Sequence, residues 1–261
     1  MPYVKVLQSI EHQFDFIGTF EFTKVYWWTS FILSFVYLAI IYFGTMYMKN
    51  RPPFELRRVL YCWNLFLAVF SIIGAIKTTP RIVEIALNTG YISSVCFTDG
   101  HIHPEVALWS YLFVFSKVWE FMDTVFLVLR KREVIFLHWY HHITVLIFTC
   151  YLFKDEIALG HYFGVMNYWV HTCMYSYYAY CASGRRLPGF ISKLVTRLQL
   201  LQMFGGLFFT FSSYYGLKSG IYPNCMFNDR AFWVAMGIYG SYAVLFANFY
   251  IQRYLSKSKK E

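Results

Sequence analysis

His138-Trp139-Tyr140-His141-His142 lies inside an apolar run from Val134 to Phe153. On a helix, imidazoles at i, i+3 and i+4 fall on one side. A run of this length suits a membrane span, which needs about 20 apolar residues. Titratable groups inside such a span are costly and by default point to function. One histidine there would read as a core group bonded to its neighbours. Three within five residues point to a site.

The rest of the chain fits a span at this place. Its 261 residues are 58% hydrophobic, 23% aromatic and 14% charged, where a soluble domain is about 25% charged. Spans of about 20 residues with short loops use up the length in seven crossings. The expected fold is therefore all-α: a polytopic membrane protein in which seven transmembrane helices surround a polar chamber, with residues 1–261 forming a single integral membrane domain. The first 26 residues hold Glu11, Asp15 and Glu21 and lack the compact apolar core of a secretory signal. They read as a mixed, polar surface segment.

The spans fall at about Val25–Met48, Leu60–Ile76, Glu105–Leu129, Val134–Phe153, Ile157–Cys181, Ile191–Leu217 and Ala231–Leu255. Between the second and third, Lys77 to Pro104 reads as an irregular loop because it holds Pro80, Gly90, Gly100 and Pro104. Fifteen Lys and Arg lie on one side of this arrangement and seven on the other, with Lys117 inside the third span. The positive-inside rule places the richer side in the cytosol. The N-terminus is then luminal and the C-terminus cytosolic. The net charge of +9 is accounted for by topology, so no nucleic-acid partner is expected.

The cysteines divide along the same lines. Cys62, Cys150, Cys173 and Cys181 lie in or at the ends of spans and read as small packing residues. Cys96 and Cys225 lie in the two longer loops on the oxidising side, where disulfides persist, so a Cys96–Cys225 bridge is expected. The tail, Lys257-Ser258-Lys259-Lys260-Glu261, carries lysines third and fifth from the end, a spacing that resembles a dilysine retrieval signal. This points to the endoplasmic reticulum membrane, a basic tail meeting anionic lipid being the plainer reading.

Polar residues recur at similar depth in the cytosolic half of four spans. Lys117, Glu120 and Thr124 share a helix face, with Asp123 beside it. Asp123 lies about 10 Å from the cytosolic end of its span at 1.5 Å per residue. Asn167, His171, Met174, Tyr175 and Tyr178 form one face of the fifth span, and Thr196, Gln199 and Gln202 begin the sixth. Any one of these could bridge helices. A shared layer is better explained by one buried chamber, with Lys117 and Glu120 as its structural pair. His12, His101, His103 and His161 fall outside the layer and have no assigned role.

Three kinds of chemistry use such a layer. A membrane di-iron desaturase or hydroxylase needs more histidine boxes than the single one here. A seven-helix binding protein or receptor without turnover needs a pocket facing outward. Acyl chemistry needs an imidazole that attacks a thioester and later leaves, with neighbours that orient it and move protons.

The residues also carry a resemblance. Lys117-x-x-Glu120-x-x-Asp123-Thr124, His138-x-x-His141-His142, Met166-Asn167-x-x-x-His171-x-x-Met174-Tyr175-x-Tyr177-Tyr178 and Thr196-x-x-Gln199-x-x-Gln202 occur in this order. Together they resemble the very-long-chain fatty acid elongase family, the membrane 3-ketoacyl-CoA synthases. The form His-Trp-Tyr-His-His-Ile-Thr is similar to the branch acting on saturated and monounsaturated acyl-CoAs. The resemblance implies condensation of acyl-CoA with malonyl-CoA to 3-oxoacyl-CoA, CO2 and CoA, with no cofactor; the ligand count above leads to no metal being expected. It implies catalytic roles for His141, His171, His138, His142, Asp123, Glu120 and Asn167. Substrate contacts would come from Lys117, Thr124, Tyr175, Tyr178, Gln199 and Gln202. The basic residues Arg130, Lys131 and Arg132 either hold CoA phosphates or serve only as topology determinants. Further partners are membrane lipid, the reductases and dehydratase of the elongation cycle, and a second copy in a homo-oligomer.

Overall fold

The computed structural model describes residues 2–97 and 104–256, and every regular element among them is helical. Two short helices, α1 (Pro2–Gln13) and α2 (Phe16–Tyr26), precede the rods. Seven rods follow: α3 (Thr29–Met48), α4 (Arg57–Thr89), the pair α6 (Pro104–Trp119) and α7 (Phe121–Leu129), α8 (Phe136–Lys154), α9 (Leu159–Ala182), α10 (Gly189–Lys218) and α11 (Asp229–Tyr250). A π-helical turn, Ile251–Leu255, extends α11, and the short α5 (Tyr91–Cys96) follows α4. Four rods, Thr29–Met48, Arg57–Thr89, Gly189–Lys218 and Asp229–Leu255, are by themselves long and apolar enough to cross a membrane.

The rods form a ring. α6–α7 packs on α4, α4 on α9, α9 on α10, α10 on α11, α11 on α8, and α8 back on α6, while α3 lies outside against α7 and α8. The α4–α9 seam is the most extensive. It depends on Gly74, where a Cβ would come within 2.5 Å of the Tyr168 ring. Gly206 does the same for α10 against Tyr239 of α11.

One end of the ring is basic, with Arg57, Arg130, Arg185 and Arg186 at the starts of α4 and the ends of α7 and α9. The other carries the expected disulfide, Cys96–Cys225, which ties the end of α5 to the connection before α11. Backbone reinforces it, Met226 N donating to the Cys96 carbonyl at 2.9 Å.

Three expectations need correction. The stretch from Lys77 is not irregular: α4 runs through Pro80 to Thr89. The polar side chains there are partnered, Lys77 with Glu11 at 2.9 Å, Thr78 Oγ1 with the Gly74 carbonyl at 2.7 Å, and Thr79 with Trp169 Nε1 at 3.0 Å. Those contacts hold the helix across the one amide that proline removes. The third span is not one helix but breaks at Glu120. Just before the break, the Ser116 hydroxyl donates to the Phe113 carbonyl at 2.7 Å, the kind of side-chain back-bonding that bends helices. Residues 1–26 are not simply a surface segment either, since Glu11 is buried and α2 packs on α8. The tail lysines Lys257, Lys259 and Lys260, like His101 and His103, lie outside the described residues.

Candidate active site

A chamber of about 800 Å³ opens between the rods at the basic end. Glu120, Asp123, His138, His141, His142, His171, Tyr175, Tyr178 and Gln199 all line it, with Arg57, Arg130, Arg185 and Arg186 around its mouth. Beyond it, toward the disulfide end, runs a narrower apolar cavity walled by all six helices of the ring. Val145, Phe148, Thr149, Leu152 and Phe153 form its α8 wall, and Asn167, Gln202 and Tyr242 also face it. His141 is the one described residue that lines both spaces.

Behind the chamber wall the polar groups form a closed circuit. Lys117 Nζ donates to Glu120 Oε1 at 2.7 Å and to Asn167 Oδ1 at 2.8 Å. An amide whose oxygen accepts an ammonium must turn its NH2 the other way. Asn167 Nδ2 accordingly lies 3.1 Å from His171 Nε2, as donor. With Nε2 accepting, the His171 proton belongs on Nδ1, which faces Glu120 Oε1 at 3.6 Å. The Lys117 ammonium thus has a carboxylate and an amide oxygen as acceptors, and this pairing makes a buried Lys117, 1% exposed, tolerable.

A second set of bonds lies beside the first. Both oxygens of Asp123 accept, from Trp63 Nε1 at 2.7 Å and from the Tyr175 hydroxyl at 2.8 Å. Thr124 sits between the Tyr37 hydroxyl at 2.7 Å and His138 Nε2 at 2.8 Å. The rings of His138 and His142 are 4.5 Å apart, and His142 packs near Tyr37 and Phe121. His141 differs from the other rings in lining both cavities. Its ring centroid lies 4.8 Å from that of Tyr242, and its Nδ1, like that of His142, is buried with no hydrogen-bond partner among the described residues. A buried polar atom without a partner is rare enough to need an explanation. At this junction, a nitrogen left free to react is such an explanation.

The four sequence blocks therefore meet in space, with some changes of place. Lys117 and Thr124 line neither cavity; they hold Asn167 and His138. Gln199 faces the chamber and bonds Met174 Sδ at 3.2 Å, while Gln202 faces the apolar cavity. Of the three basic residues suggested for CoA phosphates, Arg130 lines the mouth, but Lys131 Nζ donates to the Lys49 and Arg51 carbonyls. Arg57, Arg185 and Arg186 were not singled out by the sequence. Neither were Tyr37, Trp63 and Tyr242, which look like any other aromatic in a chain with 23 tyrosines and 8 tryptophans. His161, given no role, lies in the apolar cavity wall with Ser110 Oγ 3.2 Å from its Nδ1. Among the described residues, no three His, Cys, Asp or Glu side chains converge as metal ligands would.

Apolar rods around an oriented histidine chamber, with an apolar cavity that meets it at His141, define a multi-pass membrane enzyme with a polar and an apolar compartment. Comparison with known proteins agrees. The ELO family (GNS1/SUR4 family) matches residues 22–261, and the chain belongs to that family. It is similar to very long chain fatty acid elongase 6 of Gallus gallus, 40% identical over 252 residues that cover 97% of this chain and 94% of the relative. It is also similar to very long chain fatty acid elongase 3 of Mus musculus, 39% identical over 240 residues covering 92% and 87%. Putative fatty acid elongase 3 of Caenorhabditis elegans is 39% identical over 257 residues covering 98% and 79%.

Proposed function

We propose that this chain is the condensing enzyme of fatty acid elongation and joins a fatty acyl-CoA to malonyl-CoA. The products are the 3-oxoacyl-CoA, CO2 and CoA. The observation that carries the mechanism is the position of His141, with the polar chamber on one side and the apolar cavity on the other. An acyl chain lying in the cavity brings its thioester to this ring, with CoA extending through the chamber to the arginines at the mouth.

The reaction runs in two halves. An imidazole nitrogen of His141 attacks the thioester carbonyl; the C–S bond breaks, and the CoA sulfur leaves with the imidazole proton. Malonyl-CoA then enters and loses its carboxylate as CO2, which leaves an enolate. The enolate carbon attacks the acyl-imidazole, the C–N bond breaks, and the departing His141 imidazole takes up the one proton the overall reaction consumes, drawn from solvent through the open chamber. Acyl-imidazole is reactive enough for this because imidazole is a good leaving group. His171, held by Asn167 and facing Glu120, stabilises the enolate oxygen across the chamber. His138 and His142 keep His141 in place and pass protons. Asp123 fixes Tyr175 and Trp63, and Tyr178 and Gln199 contact the pantetheine arm. No cofactor takes part.

The basic end faces the cytosol, where the CoA thioesters are, and the disulfide end faces the lumen of the endoplasmic reticulum. The product is a substrate for the reductases and dehydratase that complete the cycle.

Purified protein incubated with labelled malonyl-CoA and acyl-CoAs of several lengths tests the activity directly. Mass spectrometry after incubation with acyl-CoA alone tests the covalent step. Turnover without any acyl adduct on His141 would reject that step and leave His141 as a base.

A further inference from the structure

This inference rests on the acyl chain lying in the apolar cavity, as proposed above. The cavity's far end is not closed by the ring alone. Helix α1 packs on α6, and α2 packs on α8 and α6. Leu7, Phe16 and Phe20 pack against the buried cluster that contains Phe113, Val114 and Phe153. Those three residues line the cavity on their other side. The Phe16 and Phe20 rings each lie 6.1 Å from Phe153, and Phe14 lies 5.7 Å from Tyr111. The N-terminal helices thus back the cavity wall at the disulfide end.

Besides this apolar packing, one carboxylate ties α1 to the ring. Glu11 is 3% exposed, although it sits in a short leading helix. Its Oε2 accepts from Lys77 Nζ at 2.9 Å and its Oε1 from Trp109 Nε1 at 3.0 Å. The partners belong to α4 and α6, 66 and 98 residues away. Lys77 immediately precedes Thr78, a cavity-lining residue, and Trp109 immediately precedes Ser110, another. A buried carboxylate is stable only when paired and hydrogen-bonded, and its two oxygens join α1 to both helices at the cavity's end. The family match begins at residue 22, so Glu11 and α1 lie outside it.

Geometry says which part of the substrate would feel this contact. The twelve steps from His141 to Phe153 rise about 18 Å at about 1.5 Å each. A hydrocarbon with C–C bonds of about 1.52 Å advances about 1.25 Å per carbon, so about fourteen carbons reach Phe153.

We propose that α1 and α2, pinned through Glu11 to Lys77 and Trp109, plug the end of the acyl cavity and set the longest chain the enzyme accepts. Glu11 is in this sense a positioning residue for specificity, remote from the chemistry. Releasing it lets Phe153 move outward and lengthens the cavity.

The test is a saturated acyl-CoA series that brackets about fourteen carbons, with malonyl-CoA and the full-length protein. It compares the parent with Glu11→Ala, Lys77→Met and Phe20→Ala, the last removing backing without touching the charge. One methylene in an apolar pocket discriminates about tenfold or more. Each variant should therefore raise kcat/KM by about tenfold for the first chain length the parent rejects, while turnover of shorter chains stays within about twofold. An unchanged length profile, or an equal loss at every length in all three variants, overturns the proposal. A parent protein that elongates no acyl-CoA overturns the proposed function instead.

Discussion

Asn167→Ala is the substitution that best tests the circuit behind the chamber. Asn167 accepts from the Lys117 ammonium at 2.8 Å and donates to His171 Nε2 at 3.1 Å. Truncation removes both bonds, with unequal consequences. His171 lines the chamber, so water can reach its freed nitrogen. Lys117 lines neither cavity and keeps only Glu120. The loss is then dominated by one hydrogen bond to a charged group, about 1.5–3 kcal/mol. At about 2–4 °C per kcal/mol for a chain of this size, thermal denaturation in detergent should fall by roughly 3 to 12 °C. Activity should fall further, because His171 loses the contact that sets its tautomer. Asn167→Asp separates the two effects. Its carboxylate still accepts from Lys117, so stability should stay close to the parent, but it has no N–H to give His171, so turnover should still drop. A double-mutant cycle with Lys117→Met completes the test. Groups in one network couple by about 0.5–3 kcal/mol. If the two substitutions add independently, or if Asn167→Asp turns over like the parent, the circuit does not work as a unit.

Three further outcomes are expected. His141→Ala should abolish condensation and any acyl adduct while lowering the denaturation temperature only by the ring packing lost against Tyr242 and Phe246, since no Nδ1 hydrogen bond is lost; turnover that survives would remove His141 from the chemistry. Arg185→Ala with Arg186→Ala should raise KM for acyl-CoA by up to about fivefold per contact and leave kcat alone, the effect fading at high salt, where exposed charges are screened; a kcat defect with unchanged KM would count against a role in CoA binding. Reduction of Cys96–Cys225, which closes a separation of 129 residues, should cost about 2–5 kcal/mol, read as a lower denaturation temperature that Cys62→Ser does not reproduce; an unaffected temperature would show that the bridge contributes nothing to stability.

Much of the fold was legible because lipid imposes a simple rule on sequence: long apolar runs form rods, and basic residues gather at one end. The places where reading failed share a cause. Lys77, Thr78, Thr79 and Pro80 look like a loop when read locally, yet Glu11 and Trp169 hold that segment helical from a distance. Glu11 itself looks like surface charge until Lys77 and Trp109 are seen around it. The break at Glu120 carries no proline or glycine to announce it. In the site, the four blocks were legible because charged and imidazole groups are rare in spans. Trp63 and Tyr37 were not, because an aromatic that donates one hydrogen bond reads the same as one that only packs.

The division of labour among the rods explains how a membrane can hold this chamber at all. The four rods apolar enough to cross alone are α3, α4, α10 and α11 with its π-helical extension. The rods that carry the histidine box, Lys117, Glu120, Asp123, Asn167 and His171 are α6–α7, α8 and α9, none of which meets that standard. A polar group in hydrocarbon is costly unless partnered or hydrated. The polar rods are therefore tolerable as inner faces of a ring, each flanked by apolar neighbours: α9 between α4 and α10, α8 beside α11 and α3, α7 against α3. Seen this way, α3 has a reason to lie outside the ring. It covers α7 and α8 where they bear Asp123, Thr124, His138 and His142, and its Tyr37 hydroxyl reaches Thr124 at 2.7 Å. Tyr37→Phe removes that one hydroxyl and leaves the ring that stacks on Phe121 at 4.1 Å. If α3 is a cover that also sets the histidine box, this change should lower turnover through His138 with little loss of stability, and a parent-like rate would reduce α3 to packing alone.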